Sequence, residues 1–546
     1  MKISDARLLA GSTGAACAAL MALWAWFALV HAIPFWQTPG DYPWYALSHA
    51  FTIESLSAGK LARNAGFLVH PGIPFALLNW VALRASDLAG GHAERVMAAL
   101  RDPEAFWLAA RLLALALNLL GVLAYRLLFR ERSTLFLVAT ACHFAFTPAV
   151  LGLSLLQFTI ESFALPFLVG SYALAARLFQ DFGEGREPSI GIAAVLGTMA
   201  AFGLSLKIYY LAPTVGVAVA LAYAVITRSL RPARLLWMLV AAATAFTAVG
   251  VPLIVGMIGP IGLTYWLDWN LGMLSHAGRY GSGQAGFLDA TAVADVLQTV
   301  IVQSSGTAVL VLLVVALLLA MGWRRRGHHS TGSIGTTLFA IAVMTGASLH
   351  LLGLLKHYLP HYAIPLGATI PCLLAALDVS RLPRVWLRSA LAAALALLGL
   401  NVVNYAQSHH KQLAAARALQ ADVRQIEAMP VDAGRLRIWG YLSASMPGMA
   451  PLIVSYSGSP WIADVTLHAI SRVEEAPMGA RRSAVWGLVI LPKVYFPDQA
   501  AIAGALKRQF DFARTDFRLC PSDTITELDR FLVVRPGPRE SDGRCG

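Results

Sequence analysis

Charge is what this chain has least of. Only 13% of its 546 residues are Asp, Glu, Lys or Arg, about half the share of an ordinary soluble domain, and 57% are hydrophobic. With a mean hydropathy of +0.63, that scarcity excludes a water-soluble globular protein and implies a polytopic membrane protein. Cysteine is scarce too, with five in all. Cys17, Cys142 and Cys372 fall inside hydrophobic runs, where the side chain serves as a small apolar filler. Cys520 and Cys545 lie in the polar tail and would form a disulfide if that tail faced an oxidising compartment. The part of the chain after Tyr405 shows no phosphate loop, dinucleotide fingerprint or metal-spaced Cys/His set, so no cofactor and no metal are assigned. His409 and His410 read as solvated surface at a helix start.

Basic residues outnumber acids, giving a net charge of +12, which on a soluble protein would suggest nucleic acid. Here the arginines gather in short clusters between apolar runs: Arg130 with Arg132, Arg228 to Arg234, Arg324 to Arg326, and Arg381 to Arg388. This is the positive-inside pattern, which sets orientation and implies no nucleic-acid partner. The first run, about Leu8 to Ile33, follows Lys2 and Arg7 but lacks a clear small-residue cleavage site, so it reads as a retained helix. A span needs about 20 apolar residues; placing the arginine clusters on the cytoplasmic face gives about eleven spans. The expected fold is therefore a polytopic α-helical membrane protein with its N-terminus in the cytoplasm. Residues 1–405 form the membrane module, with a first external loop at 34–105. Residues 406–546 alternate a polar helical stretch with the β-rich runs LRIWGYL, APLIVSY, AVWGLVIL and RFLVV, and read as a small extracytoplasmic α/β domain.

Ionisable groups at the edge of the hydrocarbon are costly and therefore informative. The first loop holds Asp41 in the turn GDYP among Trp36, Tyr42, Trp44 and Tyr45, and His70 in a second turn, HPGIP. One reading is an aromatic interfacial belt with a solvated acid; the other is a carboxylate base. Glu161 opens the fourth span, Lys207 the turn after the fifth, and His276, Arg279 and Tyr280 lie in a long Gly-rich outer loop. Lys356, His357, Tyr358 and His361 follow the ninth span. Under this topology all fall on the outer face. Single lysines at helix ends commonly snorkel to headgroups, but an acid with a set of cations also suits removal of a proton from one partner and stabilisation of an anion on the other. If the leaving group is a lipid phosphate, no general acid is needed, unlike glycoside hydrolysis with its two carboxylates.

The order of these motifs resembles the polytopic type C glycosyltransferases (GT-C), in particular the protein O-mannosyltransferase and lipid A aminoarabinose transferase branch. The residues carrying the resemblance are Asp41 and His70-Pro71-Gly72 in the first loop, FTIESF with Glu161, GLSLKIYYLAP with Lys207, and KHYLPHYAIP. The family's first-loop motif is often Asp-Glu; here the second acid is Tyr42, leaving Asp41 as sole candidate base and arguing against a metal-dependent site. Lys356-His357 stand where an arginine before Tyr358 is expected. The resemblance implies an inverting transferase on the outer face of the cytoplasmic membrane, moving a sugar from a polyprenyl-phosphate donor to a hydroxyl of a glycan, lipid or protein. Asp41 would be the base. Lys207, Lys356, His357, Tyr358 and Arg279 would bind the donor phosphate, Glu161 would orient the acceptor or Lys207, and His70, Tyr42, Tyr280 and His276 would bind or orient substrates. The competing classes are a transporter or lipid flippase, and an inactive envelope scaffold. Transporters usually carry mid-span ionisable groups and internal repeats, and neither pattern stands out here.

Overall fold

A computed structural model describes residues 3–38, 42–60, 62, 72–275, 293–294, 334–356, 360–376, 383–432, 436–439, 450, 453–454, 456–466, 486–493 and 520–538. In chain order the helices are α1 (Ile3–Ala25), α2 (Tyr42–Ser57), α3 (Ile73–Ser86), α4 (His92–Arg101), α5 (Glu104–Leu128), α6 (Ser133–Ala145), α7 (Gly170–Gly183), α8 (Ile190–Leu206), α9 (Ala212–Ile226), α10 (Pro232–Ser275), α11 (Ile334–Lys356) and α12 (Arg384–Ala428). Shorter helical turns fall between some of them. Among the described residues seven helices are long and apolar enough to cross a membrane, or eight if the bent pair Ser133–Ala145 and Val150–Leu156 counts as one span. Shorter apolar helices lie at Ile190–Leu206 and Ala363–Ala376, where the fifth and tenth spans are expected. The expected eighth span, near Val296 to Trp323, lies outside the described residues.

The chain divides into two compact units. The first comprises Met1–Val30, Gly66–Leu78 and Ala110–Ser408. Its helices form because long Ala- and Leu-rich runs lose little on becoming helical, and because a membrane requires each span to satisfy its own backbone groups, which overrides the weaker helix preference of Val. Ser189 caps α8 by accepting from the Ile192 amide at 3.3 Å, and α8 then packs along α10. A Cβ on Gly197 would collide with the Ala242 carbonyl, so glycine permits this close backbone approach. The third span turns through 105° between Ala145 and Val150, which strands carbonyls. Asn401 Nδ2 donates to the carbonyls of Phe144 at 2.7 Å and Thr147 at 3.1 Å, and Asn118 Nδ2 to that of Ser154 at 2.8 Å. The sequence reading places a loop after Ile258; instead α10 kinks at Gly259, whose φ is 67°, and TYWLDWNLGMLS continues as helix. Only a residue without Cβ takes that left-handed angle cheaply.

The second unit comprises His31–Ala65, Asn79–Ala109 and His409–Gly546. The first-loop segments thus cluster with the C-terminal residues, a division different from 1–405 and 406–546. Among its described residues that loop is largely helical, containing α2, α3 and α4. The C-terminal sheet has strand order β1-β2-β4-β3, with β1 (Leu436–Trp439), β2 (Trp486–Pro492), β3 (Thr524–Glu527) and β4 (Phe531–Arg535). β1 and β2 are parallel; the other pairs are antiparallel. Leu488, Ile490, Phe531 and Val533 pack with Ile426 at the end of α12. APLIVSY, expected as a strand, contains helical residues at Ile453, Val454 and Tyr456. Its β-branched residues express only a weak preference, which tertiary packing overrides. Cys520 is disulfide-bonded, and the residue expected opposite it, Cys545, lies outside the described residues.

Candidate active site

Glu161 and Lys207 meet inside the first unit. Thr159 starts the local geometry: its Oγ1 accepts from the Glu161 amide at 3.2 Å, which begins a short 3-10 turn, Ile160–Phe163. The turn buries Glu161 completely. Lys207 terminates α8 in an extended conformation, φ −159° and ψ 150°, and its side chain is only 7% exposed. Nζ lies 3.7 Å from Glu161 Oε1, longer than a tight charge-assisted hydrogen bond. The pair is Coulombic and loosely held.

Aromatic and imidazole groups complete the cluster. Nζ of Lys207 sits 4.5 Å from the centroid of the Tyr362 ring and 5.7 Å from that of Tyr209; a cation over an aromatic face gains about 0.5–2 kcal/mol. Tyr209 Oη donates to Glu161 Oε1 at 3.4 Å, and His361 Nε2 is 4.0 Å from the same oxygen. Tyr210 Oη donates to the Ile160 carbonyl at 2.6 Å, which fixes the turn bearing Glu161. His350 Nε2 donates to the Tyr209 carbonyl at 2.8 Å, and its Nδ1 lies 3.2 Å from Thr369 Oγ1. Ends of α8 and α11 and the starts of the Ile160–Gly183 and Pro360–Tyr362 helical stretches therefore converge. A buried cation flanked by aromatic faces, an imidazole and one carboxylate can hold an anionic group on an amphiphile.

The first-loop glycine reaches the same place. Gly72 has φ 149°, and a Cβ there would lie 2.7 Å from the Leu206 carbonyl oxygen and 2.9 Å from Leu206 Cα. Glycine is required for this approach to the residue preceding Lys207. Lys356 is the last residue of α11. Tyr42 is the first residue of α2, in the second unit. Asp41, His70, His276, Arg279, Tyr280, His357 and Tyr358 lie outside the described residues. No group of three or more His, Cys, Asp or Glu suited to a metal occurs among the described residues.

Sequence reasoning missed two sets of groups. Tyr209 and Tyr362 stand inside GLSLKIYYLAP and KHYLPHYAIP but carry no assigned role there, and His350, which holds the Tyr209 carbonyl, belongs to no motif. In the second unit, fully buried Glu54 binds Trp80 Nε1 at 2.7 Å, Arg84 Nε at 2.9 Å, His92 Nδ1 at 2.8 Å and Arg95 at 2.6 Å. Burial pushes the Glu54 carboxyl upward, but Trp80, Arg84 and Arg95 outweigh it and hold the group below its ordinary 4.5.

The succession of spans, the broken third span and the C-terminal sheet make this a polytopic membrane protein, and likeness to solved structures makes its fold GT-C-like. Two solved structures are similar over almost the whole chain. ArnT from Cupriavidus metallidurans bound to undecaprenyl phosphate matches with TM-score 0.54 and 13% identity, covering 96% of this chain and 98% of that one. ArnT from the same organism in the apo state matches with TM-score 0.50 and 15% identity, covering 94% and 97%. No family model matches the sequence, and no curated protein matches it either.

Proposed function

We propose that the protein is an inverting glycosyltransferase that moves a sugar from a polyprenyl-phosphate donor to a hydroxyl acceptor on the outer face of the cytoplasmic membrane. The observation that carries this reading is the buried Lys207–Glu161 cluster with its aromatic walls. It suits a lipid phosphate because it pairs a cation with apolar surface. The match to ArnT bound to undecaprenyl phosphate supports a polyprenyl-linked donor. A site on the outer face has no access to nucleotide sugars, which are cytoplasmic, so a lipid-linked sugar is the consistent donor.

In the reaction Asp41 takes the proton of the acceptor hydroxyl. The acceptor oxygen bonds to the anomeric carbon as the bond from that carbon to the phosphate oxygen breaks, and polyprenyl phosphate leaves carrying both electrons. Phosphate is a stable leaving anion, so a single carboxylate suffices. Lys207 neutralises the charge that develops on the phosphate, and desolvation beside the bilayer strengthens the effect. Glu161 aims Lys207, and Lys356, His357, Tyr358 and Arg279 add to phosphate binding. His70, Tyr42, His276 and Tyr280 shape the donor and acceptor subsites.

The test is transfer of label from a polyprenyl-phosphate sugar to a hydroxyl acceptor in proteoliposomes. Wild-type protein transfers label, and Asp41→Asn abolishes transfer while folding is unchanged. Full activity in Asp41→Asn removes the mechanism. Lipid movement without transfer would instead identify a flippase.

A further inference from the structure

We infer that residues 456–466 of the C-terminal region are a positioning device for α2, and through α2 for Asp41, the residue that precedes it in the chain. The inference rests on Asp41 being the base and assigns a task to a domain that the transfer chemistry leaves without one. Asp41 immediately precedes α2 in sequence, so whatever fixes the first turn of that helix limits where the carboxylate can be.

All the contacts lie within the second unit. Tyr456 packs edge-on against Trp44, with ring centroids 4.8 Å apart, and lies 6.1 Å from Tyr45 at 90°. Trp44 and Tyr45 themselves stack at 3.7 Å. Farther along the helix, Thr52 Oγ1 donates to the Ser457 carbonyl at 3.1 Å, and Ser55 Oγ shares a 2.6 Å hydrogen bond with Ser459 Oγ. Tyr45, Thr52 and Ser55 recur at helical spacing and form one stripe. Glu54 falls on the opposite side, where Trp80, Arg84 and Arg95 hold it. The helix is therefore gripped on two faces, one by the rest of the first loop and the other by the C-terminal segment.

The segment is itself built to be rigid. Gly458 turns the chain with φ 61°. Ser459 then caps the helical residues 460–466, its Oγ accepting from the Ile462 amide at 3.3 Å, and Pro460 occupies the first helical position, where its missing N–H costs nothing. Ser459 Oγ accepts from this amide and also bonds Ser55, so the same atom fixes the cap and ties it to α2. Aromatic edge packing of the Tyr456 type stabilises beyond burial alone, and it acts at Trp44, three residues from Asp41 in sequence.

The experiment compares full-length wild-type protein with Tyr456→Ala, Tyr456→Phe and Ser459→Ala in lipid nanodiscs, using two readouts. The first is hydrogen exchange of the amides of residues 42–50. Tyr456→Ala is expected to raise exchange there roughly tenfold, Ser459→Ala to raise it in the second half of α2, and Tyr456→Phe to leave it unchanged. The second is label transfer, where Tyr456→Ala lowers kcat by about 10²-fold while the KM for donor holds, and Tyr456→Phe restores kcat. Unchanged exchange in both Tyr456→Ala and Ser459→Ala overturns the inference. So does a fall in kcat without a change in exchange, which would make Tyr456 a substrate contact. If Tyr456→Ala does not fold, Ser459→Ala decides alone. A wild-type protein that transfers no label sinks the proposed function, and the exchange readout still decides whether 456–466 holds α2.

Discussion

If Lys207 serves the donor phosphate and Glu161 serves Lys207, their removal must separate stability from transfer. The perturbations are Lys207→Met, Glu161→Gln and the two combined. At 3.7 Å and an effective dielectric near 20, the attraction between the charges is about 4 kcal/mol before desolvation is counted. Desolvation of two buried ions removes several kcal/mol of that, so the intact pair contributes little net stability. Leaving one charge buried and alone is different. Each single variant is expected to cost about 3 kcal/mol. For Lys207→Met the loss is tempered by Tyr209 Oη at 3.4 Å and His361 Nε2 at 4.0 Å, which still face the carboxylate. The double variant buries no unpaired charge and should recover about 2 kcal/mol relative to the sum of the singles.

Transfer should follow a different order. Lys207→Met and the double variant lose about 10²–10³ in kcat, the usual consequence of deleting one donor to a developing anion. Glu161→Gln keeps the lysine over the Tyr362 and Tyr209 rings and should lose only about tenfold. Thermal unfolding followed by tryptophan fluorescence in detergent gives the stability cycle, and label transfer in proteoliposomes gives the kinetics. Recovery of transfer in the double variant would refute the reasoning, because Lys207 would then matter only as the partner of a buried acid. A stability coupling below about 0.5 kcal/mol would refute the pairing itself.

Glu54→Gln is expected to destabilise the second unit by about 3–5 kcal/mol, since it strands a buried guanidinium; that cost rests mainly on Arg95, whose side chain is 3% exposed, as Arg84 is 35% exposed. The Glu54 carboxyl is held below 4.5 in the folded protein, so its contribution is complete above that pH and is lost as pH falls through the folded value. Glu54→Gln should therefore flatten the acid limb of a melting-temperature profile taken from about pH 7 to about pH 3, and an unaltered limb would place the acid sensitivity elsewhere. Gly72→Ala should cost about 1–3 kcal/mol through the positive φ and the Leu206 backbone, with a fall in transfer greater than the fall in folded protein, measured by melting and label transfer on the same sample. Asp41→Asn should retain the wild-type melting temperature and show no transfer above background.

The spans were legible because a membrane demands long apolar runs, and Glu161 and Lys207 were legible because an ionisable group at a span end is too costly to be idle. Tyr209 and Tyr362 were not, since aromatic residues at a membrane interface are common and only the fold puts these two around one ammonium. Glu54 reads in sequence as an ordinary acid in IESLSAGK. Its partners stand on two later helices, and no short-range spacing links them to it. APLIVSY misled because Ile453 and Val454 favour strands, while Gly458, Ser459 and Pro460, which signal a turn and a helix start, lie just beyond it. Those three residues were the usable signal.

The looseness of the Lys207–Glu161 pair bears on whether a carboxylate beside the lysine defeats anion binding. A tight, bidentate contact would have committed the ammonium to the protein. At 3.7 Å from the carboxylate and 4.5 Å from the Tyr362 centroid, Nζ is held chiefly by direction. A phosphate can then take hydrogen bonds from it at about 2.8 Å without Glu161 having to move, because Tyr209 still donates to the carboxylate. With the proposed donor bound at Lys207, the acid would oppose its phosphate at longer range, moderating affinity while the lysine stays aimed. An arrangement of that kind suits an enzyme whose product is also a polyprenyl phosphate, because a site that bound the phosphate without opposition would retain the product it must release.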